Sequence, residues 1–429
     1  MTASAGSTLM FLENRYPHDP RVRNEATALV AAGYRVTVIS LRAKDEASHA
    51  VINGVETYRF PRIALFNKTS RKDPTFIGKL VTAVKSLIGY VVEYSYFTLG
   101  SLFISFYVCI KQRVDIIHLH NPPDTLCIVA ALYKLMGKKI VYDHHDLSPE
   151  LYLSRYGIQD GRKGLIYRTL LLLEWINLKL ADIVIATNES YRESDIRRGK
   201  LDGRKVFIVR NGPDLNRLRA TAPDERLKSM NKKILVYIGI MGPQDGVDYL
   251  LRALHHLVYE LGRTDFYCVL IGKGDSLESL RTLARELKID EHVWFTGFIP
   301  EEDLVRYLST ADIGVDPDPS SPLNDVSTWI KIMEYMALAK PIVTFDLKET
   351  RYSAQDAALY VRPNDEVGFA QAIVTLMDDT ELRRQMGERG RKRIENELNW
   401  SIVKQNLLNA YAWCRATRQE RSAPEWNER

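Results

Sequence analysis

The chain has 429 residues, of which 45% are hydrophobic and 26% charged, with a formal net charge of +5. That is an ordinary globular composition with core enough for two or three domains, and it excludes a disordered or collagen-like chain. The modest positive balance and the lack of a basic face or recognition helix argue against a nucleic-acid partner, while leaving room for phosphate ligands or an anionic membrane face. Cys109, Cys127, Cys268 and Cys414 show no CxxC spacing, so neither a disulfide framework nor a zinc site follows, and a reducing compartment is expected. Met1–Ser7 has no basic stretch ahead of its apolar sequel, so no secretory signal is expected.

Taken in order, Leu9–Leu12 reads as a strand, Arg15–Arg21 as a loop, and Val22–Ala32 as a helix closed by Gly33. Arg35–Ser40 is the next strand, which completes the opening of a doubly wound parallel sheet. Thr57–Phe60 is a weaker strand. Phe76–Lys111 is helical, and Tyr94–Ile110 within it carries no charge. Three readings stay open for that segment: a buried helix first, a helix lying in a membrane interface second, and a membrane span third, because a span would cut the sheet in two.

Asp115–His120 and Lys139–Asp143 are strands, each ending in polar residues, Asn121-Pro-Pro-Asp124 and His144-His145-Asp146. A helix covers Thr125–Met136 and another Gly164–Leu180, and the strands Asp182–Ala186 and Val206–Val209 close this half. Arg210–Asp214 is a turn, taken as the domain boundary.

The second half repeats the pattern. Strands are expected at Lys233–Ile238, Phe266–Ile271, Val293–Thr296, Ile313–Val315, Pro341–Phe345 and Leu359–Val361, separated by helices. The loops Gly239–Gly246, Gly272–Asp275 and Gly297–Pro300 follow three of those strands. Trp329–Leu338 is an amphipathic helix stopped by Lys340-Pro341. Lys331 and Glu334 lie three apart near its start, where free N–H groups favour an anion; a diphosphate and a ribose suit such a pair. The plain alternative is a surface ion pair. A last helix begins at Ser401 and a polar tail, expected to be loose, runs from Arg418 to Arg429.

The order and spacing of Tyr16-Pro-His-Asp-Pro-Arg-Val-Arg-Asn-Glu25, Asp115–Asp124, Tyr142–Asp146, Gly272-Lys-Gly, Phe295-Thr-Gly-Phe298 and Lys331-x-x-Glu334-Tyr-Met-Ala with Lys340-Pro resemble the retaining glycosyltransferases of family 4, over nearly the whole chain. The resemblance is closest to members that build bacterial surface polysaccharides. It implies an α/β GT-B fold: two Rossmann-like doubly wound domains facing a cleft, with residues 1–213 for the acceptor, 214–400 for the nucleotide sugar, and 401–429 as a C-terminal helix and tail. It implies transfer of a hexosyl or N-acetylhexosaminyl group from a nucleoside diphosphate sugar, UDP before GDP, to a glycan or lipid-linked acceptor in polysaccharide or glycolipid synthesis. No cofactor and no metal are expected. The expected location is cytoplasmic, with peripheral contact to the inner face of the cell membrane through residues 76–110. Two other readings stay open, a UDP-sugar epimerase of the same fold and a non-catalytic nucleotide-sugar-binding partner.

Residue by residue, the resemblance implies catalytic roles for His145, Glu334 and Lys331. It implies donor contacts from Gly239, Gly242, Arg210, Lys273, Gly272, Gly297 and Phe298, and acceptor or cleft contacts from Asp19, Arg21, His120, Asn121, Asp124 and Asp146. Each has a plainer reading as a turn former, a cap or a surface ion pair. The chain departs from the pattern where a glutamate eight positions before Glu334 would fall: Val326 stands there, with Asp325 one place off. Ile240 and Asp245 occupy positions where the family often has an arginine and a lysine, so Lys331 is expected to carry more of the phosphate charge, with Arg210 or Lys273.

Overall fold

The structure, a computed structural model, describes residues 5–63, 76–156 and 164–416, without the side chains of 76–88 and 155–156. The expected loose tail therefore lies outside what is described. The chain forms two compact units, residues 1–152, 159–210 and 404–429 in one, 153–158 and 211–403 in the other.

The first unit is built on strands β1 (Gly6–Arg15), β2 (Tyr34–Arg42), β3 (His49–Ile52), β4 (Val55–Pro61), β5 (Ile116–His120), β6 (Lys139–His144), β7 (Ile183–Ala186) and β8 (Val206–Ile208), in the order β3-β4-β2-β1-β5-β6-β7-β8. All neighbours are parallel except β3 and β4, an antiparallel hairpin absent from the expectation because His49–Ile52 is only four residues long, with none of them buried. The helices are α1 (Pro20–Ala31), α2 (Phe76–Lys111), α3 (Cys127–Leu135), α4 (Ser148–Tyr156), α5 (Leu165–Leu180) and α6 (Glu189–Gly199). Central strands have helices on both faces, which is why Leu9-Met10-Phe11 of β1 and Ile116-Ile117 of β5 are apolar runs with no exposure. Strand order reverses between β1 and β5. At such a switch point the loops beyond the strand ends part, and a crevice opens.

The second unit holds α7 (Glu225–Ser229), β9 (Lys233–Ile238), α8 (Val247–Tyr259), β10 (Phe266–Ile271), α9 (Leu277–Glu286), β11 (Val293–Gly297), α10 (Glu301–Thr310), β12 (Ile313–Asp316), α11 (Ile330–Ala337), β13 (Ile342–Phe345), α12 (Lys348–Ala354), β14 (Ala358–Val361), α13 (Glu366–Asp378) and α14 (Thr380–Arg393). Its sheet is parallel throughout, ordered β11-β10-β9-β12-β13-β14, with the switch point between β9 and β12. Two apolar clusters cover its two faces, one around Leu250, Leu254 and Phe369, the other around Ile332, Met336 and Leu308.

One expectation on organisation is corrected. The last helix, α15 (Trp400–Arg415), is not a segment apart: from Lys404 onward it belongs to the first unit. Tyr411 is the reason. It is fully buried, its hydroxyl lies 3.2 Å from Thr8 Oγ1 and 2.9 Å from His118 Nδ1, and its ring meets Tyr34 edge-on. A second correction concerns α2. It is no buried core helix: Phe97, Thr98, Ser101, Ser105 and Val108 face the protein, while Leu99, Phe103 and Ile110 are exposed.

Candidate active site

In the first unit a cavity of about 270 Å³ opens where β1, β5 and β6 end, lined by Leu12, Glu13, Asn14, Asp19, Arg62, His120, Asn121, Pro122, His145 and Asp146. Five residues expected at the acceptor side or in catalysis, Asp19, His120, Asn121, His145 and Asp146, are thus brought together. His145 and His144 part company because neighbours on a strand end point to opposite faces. His144 is wholly buried, with Nδ1 2.6 Å from Asp195; burial opposes its charge, but Asp195 prevails and its pKa is pushed up to about 10. His145 lines the cavity instead. Its Nδ1 lies 3.7 Å from Asp143 Oδ2, and that carboxylate raises its pKa against the effect of burial.

Asn121 builds this turn. Its Oδ1 accepts the backbone N–H of His145 at 2.9 Å and of Asp146 at 3.2 Å, and its amide donates to Asp146 O at 2.6 Å. Asp19 caps α1, accepting from Val22 N at 3.0 Å, with Pro20 at the position where no N–H is missed.

Two expected contacts are corrected. Arg21 does not line the cavity: it is buried, and its guanidinium grips Asp143 through two 2.7 Å bonds while donating to Val209 O at 3.0 Å. Asp124 is buried away from the cavity, accepting from Tyr142 Oη at 2.6 Å and Asn121 Nδ2 at 3.4 Å. Both polar side chains are spent on the fold because a planar fork and a buried carboxylate each need every partner they can find.

Behind the cavity lies a buried array absent from the expectation. Glu25 Oε1 is 3.3 Å from Arg21, and Glu25 Oε2 is 3.0 Å from His120 Nε2, with His118 Nε2 3.9 Å away. Burial penalises the Asp143 carboxylate, yet Arg21 holds its pKa well below the usual range; Glu25 is pushed up, by burial and then by Asp143. Donor atoms of Glu25, His118, His120 and Asp143 lie within 4.8 Å of one another, a spacing that a metal ion could bridge. Arg21 already supplies positive charge to both carboxylates. The signal for this array was present as charged residues inside the apolar runs of α1, β5 and β6.

In the second unit the loops after β9, β10 and β11 are stitched together: Gly239 N donates to Ile271 O at 3.0 Å, Met241 N to Lys273 O at 3.0 Å and Gly272 N to Gly297 O at 3.1 Å. Gly272 has φ +145°, and a Cβ there would sit 1.8 Å from Gly239 O, so glycine is required by chain packing itself. Gly242 N donates to Asp245 Oδ2 at 2.8 Å, so Asp245, which stands where a phosphate-binding cation was looked for, caps this loop. Lys273 is exposed, 5.4 Å from the centroid of the exposed Phe298 ring. Arg210 is buried and belongs to the first unit.

Lys331 corrects the expectation most sharply. Its ammonium is buried, 2.8 and 2.7 Å from the Asp318 oxygens and 3.0 Å from Asp316 Oδ1. Burial alone would discharge it, but the two aspartates hold its pKa well above the ordinary value. Its charge is therefore already paired within the unit, where the expectation had it facing a phosphate. Asp316-Pro-Asp318, at the carboxyl end of β12, was the missed signal. Asp325 is also engaged, accepting from Ser320 Oγ at 3.2 Å and Ser321 N at 3.3 Å. Glu334 stays available. It is half-buried on α11, and burial followed by Glu301 pushes its pKa up to about 7, with Arg217 opposing. The start of α11 has no side-chain cap.

The chain matches two family models, one described as Glycosyltransferase Family 4 over residues 21–217, the other as Glycosyl transferases group 1 over residues 219–393. It is 22% identical over 404 residues to an uncharacterized glycosyltransferase of Methanocaldococcus jannaschii, covering 90% of this chain and 91% of that one. It is 25% identical over 261 residues to alpha-maltose-1-phosphate synthase of Mycolicibacterium smegmatis, covering 54% of this chain and 64% of the relative, a little under two thirds of its length. A solved structure of Anabaena HepE with UDP and glucose is similar at a TM-score of 0.68 and 15% identity, over 94% of this chain and 99% of that one, which establishes the fold as GT-B.

Proposed function

The chain belongs to the family 4, group 1 glycosyltransferases, and we propose that it transfers a hexosyl or N-acetylhexosaminyl group, with retention, from UDP-sugar in preference to GDP-sugar to a glycan or lipid-linked acceptor. The observation that carries the reading is His145, hung by its backbone on Asn121, with the Asp143 carboxylate 3.7 Å from its Nδ1, and lining a cavity at the switch point of its sheet. Support for the donor comes from the uncapped start of α11 at the other sheet's switch point, where backbone N–H groups would meet the diphosphate, and from Glu334 one turn on, whose carboxylate would accept a sugar or ribose hydroxyl. HepE, a relative in fold, was solved with UDP.

In this mechanism the acceptor hydroxyl attacks the anomeric carbon on the face from which the diphosphate leaves. The C–O bond to phosphate breaks as the new glycosidic bond forms, and the departing phosphate oxygen takes the acceptor's proton. No enzymic nucleophile is needed. The protein positions the reactants and stabilises charge on the leaving group, work suited to the α11 N–H groups and, toward the sugar, to His145.

Thermal melting against a panel of nucleotides and nucleotide sugars tests the reading. At a hundredfold excess over its dissociation constant, a ligand bound only by the folded state adds about 2.7 kcal/mol. The expected result is a shift with UDP or GDP, weakened in Glu334→Ala, and label transferred from the matching nucleotide sugar to an acceptor. Absence of a shift with every nucleotide overturns it. A second reading, a nucleotide-sugar-binding partner without transfer, is favoured by the neutralised Lys331 and by Val326; it predicts the shift without transfer. Sugar turnover without acceptor would identify an epimerase.

A further inference from the structure

Helices α2, α3 and α5 connect β4 to β5, β5 to β6 and β6 to β7, moving the chain the same way across the sheet, so right-handed crossovers put all three on one face. They adjoin one another: Tyr133 of α3 donates to Ser105 of α2 at 2.8 Å, and α3 packs beside α5. Their outward sides are apolar. Leu99, Phe103 and Ile110 of α2 recur at helical spacing, Leu135 ends α3, and Leu172 and Trp175 stand on α5; Ile110 and Leu135 are 86% and 87% exposed. Exposed apolar residues gathered on adjoining helices of one face mark an interaction surface, where singly scattered leucines would not.

The charges beside it have one sign. The only acids in the described parts of these helices, Glu93 and Glu174, are buried, whereas Lys111, Arg168 and Lys179 are exposed. We propose that this face docks on the surface of an anionic phospholipid bilayer, with Phe103 and Trp175 entering the headgroup region and the basic side chains meeting lipid phosphates. Gly89–Lys111 is long and apolar enough to cross a membrane, but its inner side, with Phe97, Ser101 and Ser105, is built into the protein. It can offer the bilayer one side only. The inference gives a place to the lipid-linked form of the acceptor proposed above, but the binding itself requires neither donor nor acceptor.

The test is flotation of the full chain with phosphatidylcholine vesicles and with mixed phosphatidylcholine–phosphatidylglycerol vesicles, without nucleotide. Binding to the anionic vesicles, reversed by salt and lowered about tenfold or more in Phe103→Asp/Trp175→Asp, is expected. Arg168→Glu/Lys179→Glu should lower it too, and provides the readout if the first variant melts early. Nucleotide-induced melting shifts, measured in parallel, should be unchanged, so failure here is separable from failure of the transferase reading. No binding to anionic vesicles overturns the proposal. So does a wild-type dimer in gel filtration that the Phe103/Trp175 variant converts to monomer without any vesicle binding, since a second copy would then cover the face.

Discussion

Asn121 at the end of β5 holds the backbone of His145 at the end of β6, accepting its N–H at 2.9 Å. One side chain thereby sets where the imidazole stands. Asn121→Ala should lose about 1–3 kcal/mol of stability through the unpaired backbone groups, and kcat should fall more than KM rises. His145→Gln should lower kcat about a hundredfold while leaving the melting temperature near that of the wild type. Steady-state kinetics alongside thermal melting separates the two; full activity in His145→Gln would remove the residue from the mechanism.

Arg21 is a strut, and its removal should be felt as instability. Arg21→Ala leaves Asp143 and Glu25 buried without their cation and should cost about 3–5 kcal/mol. Arg21→Lys should recover little, because a point charge cannot make both 2.7 Å bonds to Asp143. Urea unfolding checks both; a variant as stable as the wild type would mean that the array is not coupled as drawn.

Lys331 makes the corresponding prediction in the second unit. Lys331→Met should destabilise by about 3–5 kcal/mol, and adding Asp318→Leu should restore only part of the loss, since Asp316 stays buried without its cation. Were Lys331 instead a phosphate ligand, the single variant would keep its stability and lose nucleotide-induced melting shifts.

Glu334 predicts a pH dependence. Its carboxyl is raised from 4.5 to about 7, so between those values the folded chain holds a proton that the unfolded chain gives up. Stability from this group is complete below about pH 4.5 and declines as pH rises through about 7, by up to about 3 kcal/mol. Glu334→Gln should flatten that part of the profile, read as melting temperature between about pH 5 and about pH 8. An unchanged slope would mean that the carboxyl is not perturbed.

The two sheets were legible because a strand buried on both faces is an apolar run, and its helices carry an apolar stripe between glycine stops; β9 and β10 stand at the expected residues. The cavity residues His120, Asn121, His145 and Asp146 were legible because polar residues that end buried strands have few other reasons to be there. What a linear reading cannot supply is which side chains become partners in space, whether they stand 13 positions apart or more than a hundred. Arg21 reads as a cleft cation until Asp143, 122 positions on, is seen to take two of its three nitrogens. Lys331 reads as a phosphate ligand until Asp318 is seen to hold it. The polar helix α6 was missed for another reason: its apolar periodicity is weak, and its start is fixed by the Asn188 cap.

The path of the chain bears on its synthesis. Tyr411, anchored to Thr8 and His118, supplies a piece of the first unit that emerges only after residues 211–403 have been made. At about 5–20 residues per second the ribosome needs about 10–40 s for that stretch. The unit begun first is therefore completed last. During that interval Thr8 and His118 await their partner, while the sheet of the second unit already has every strand it needs to close.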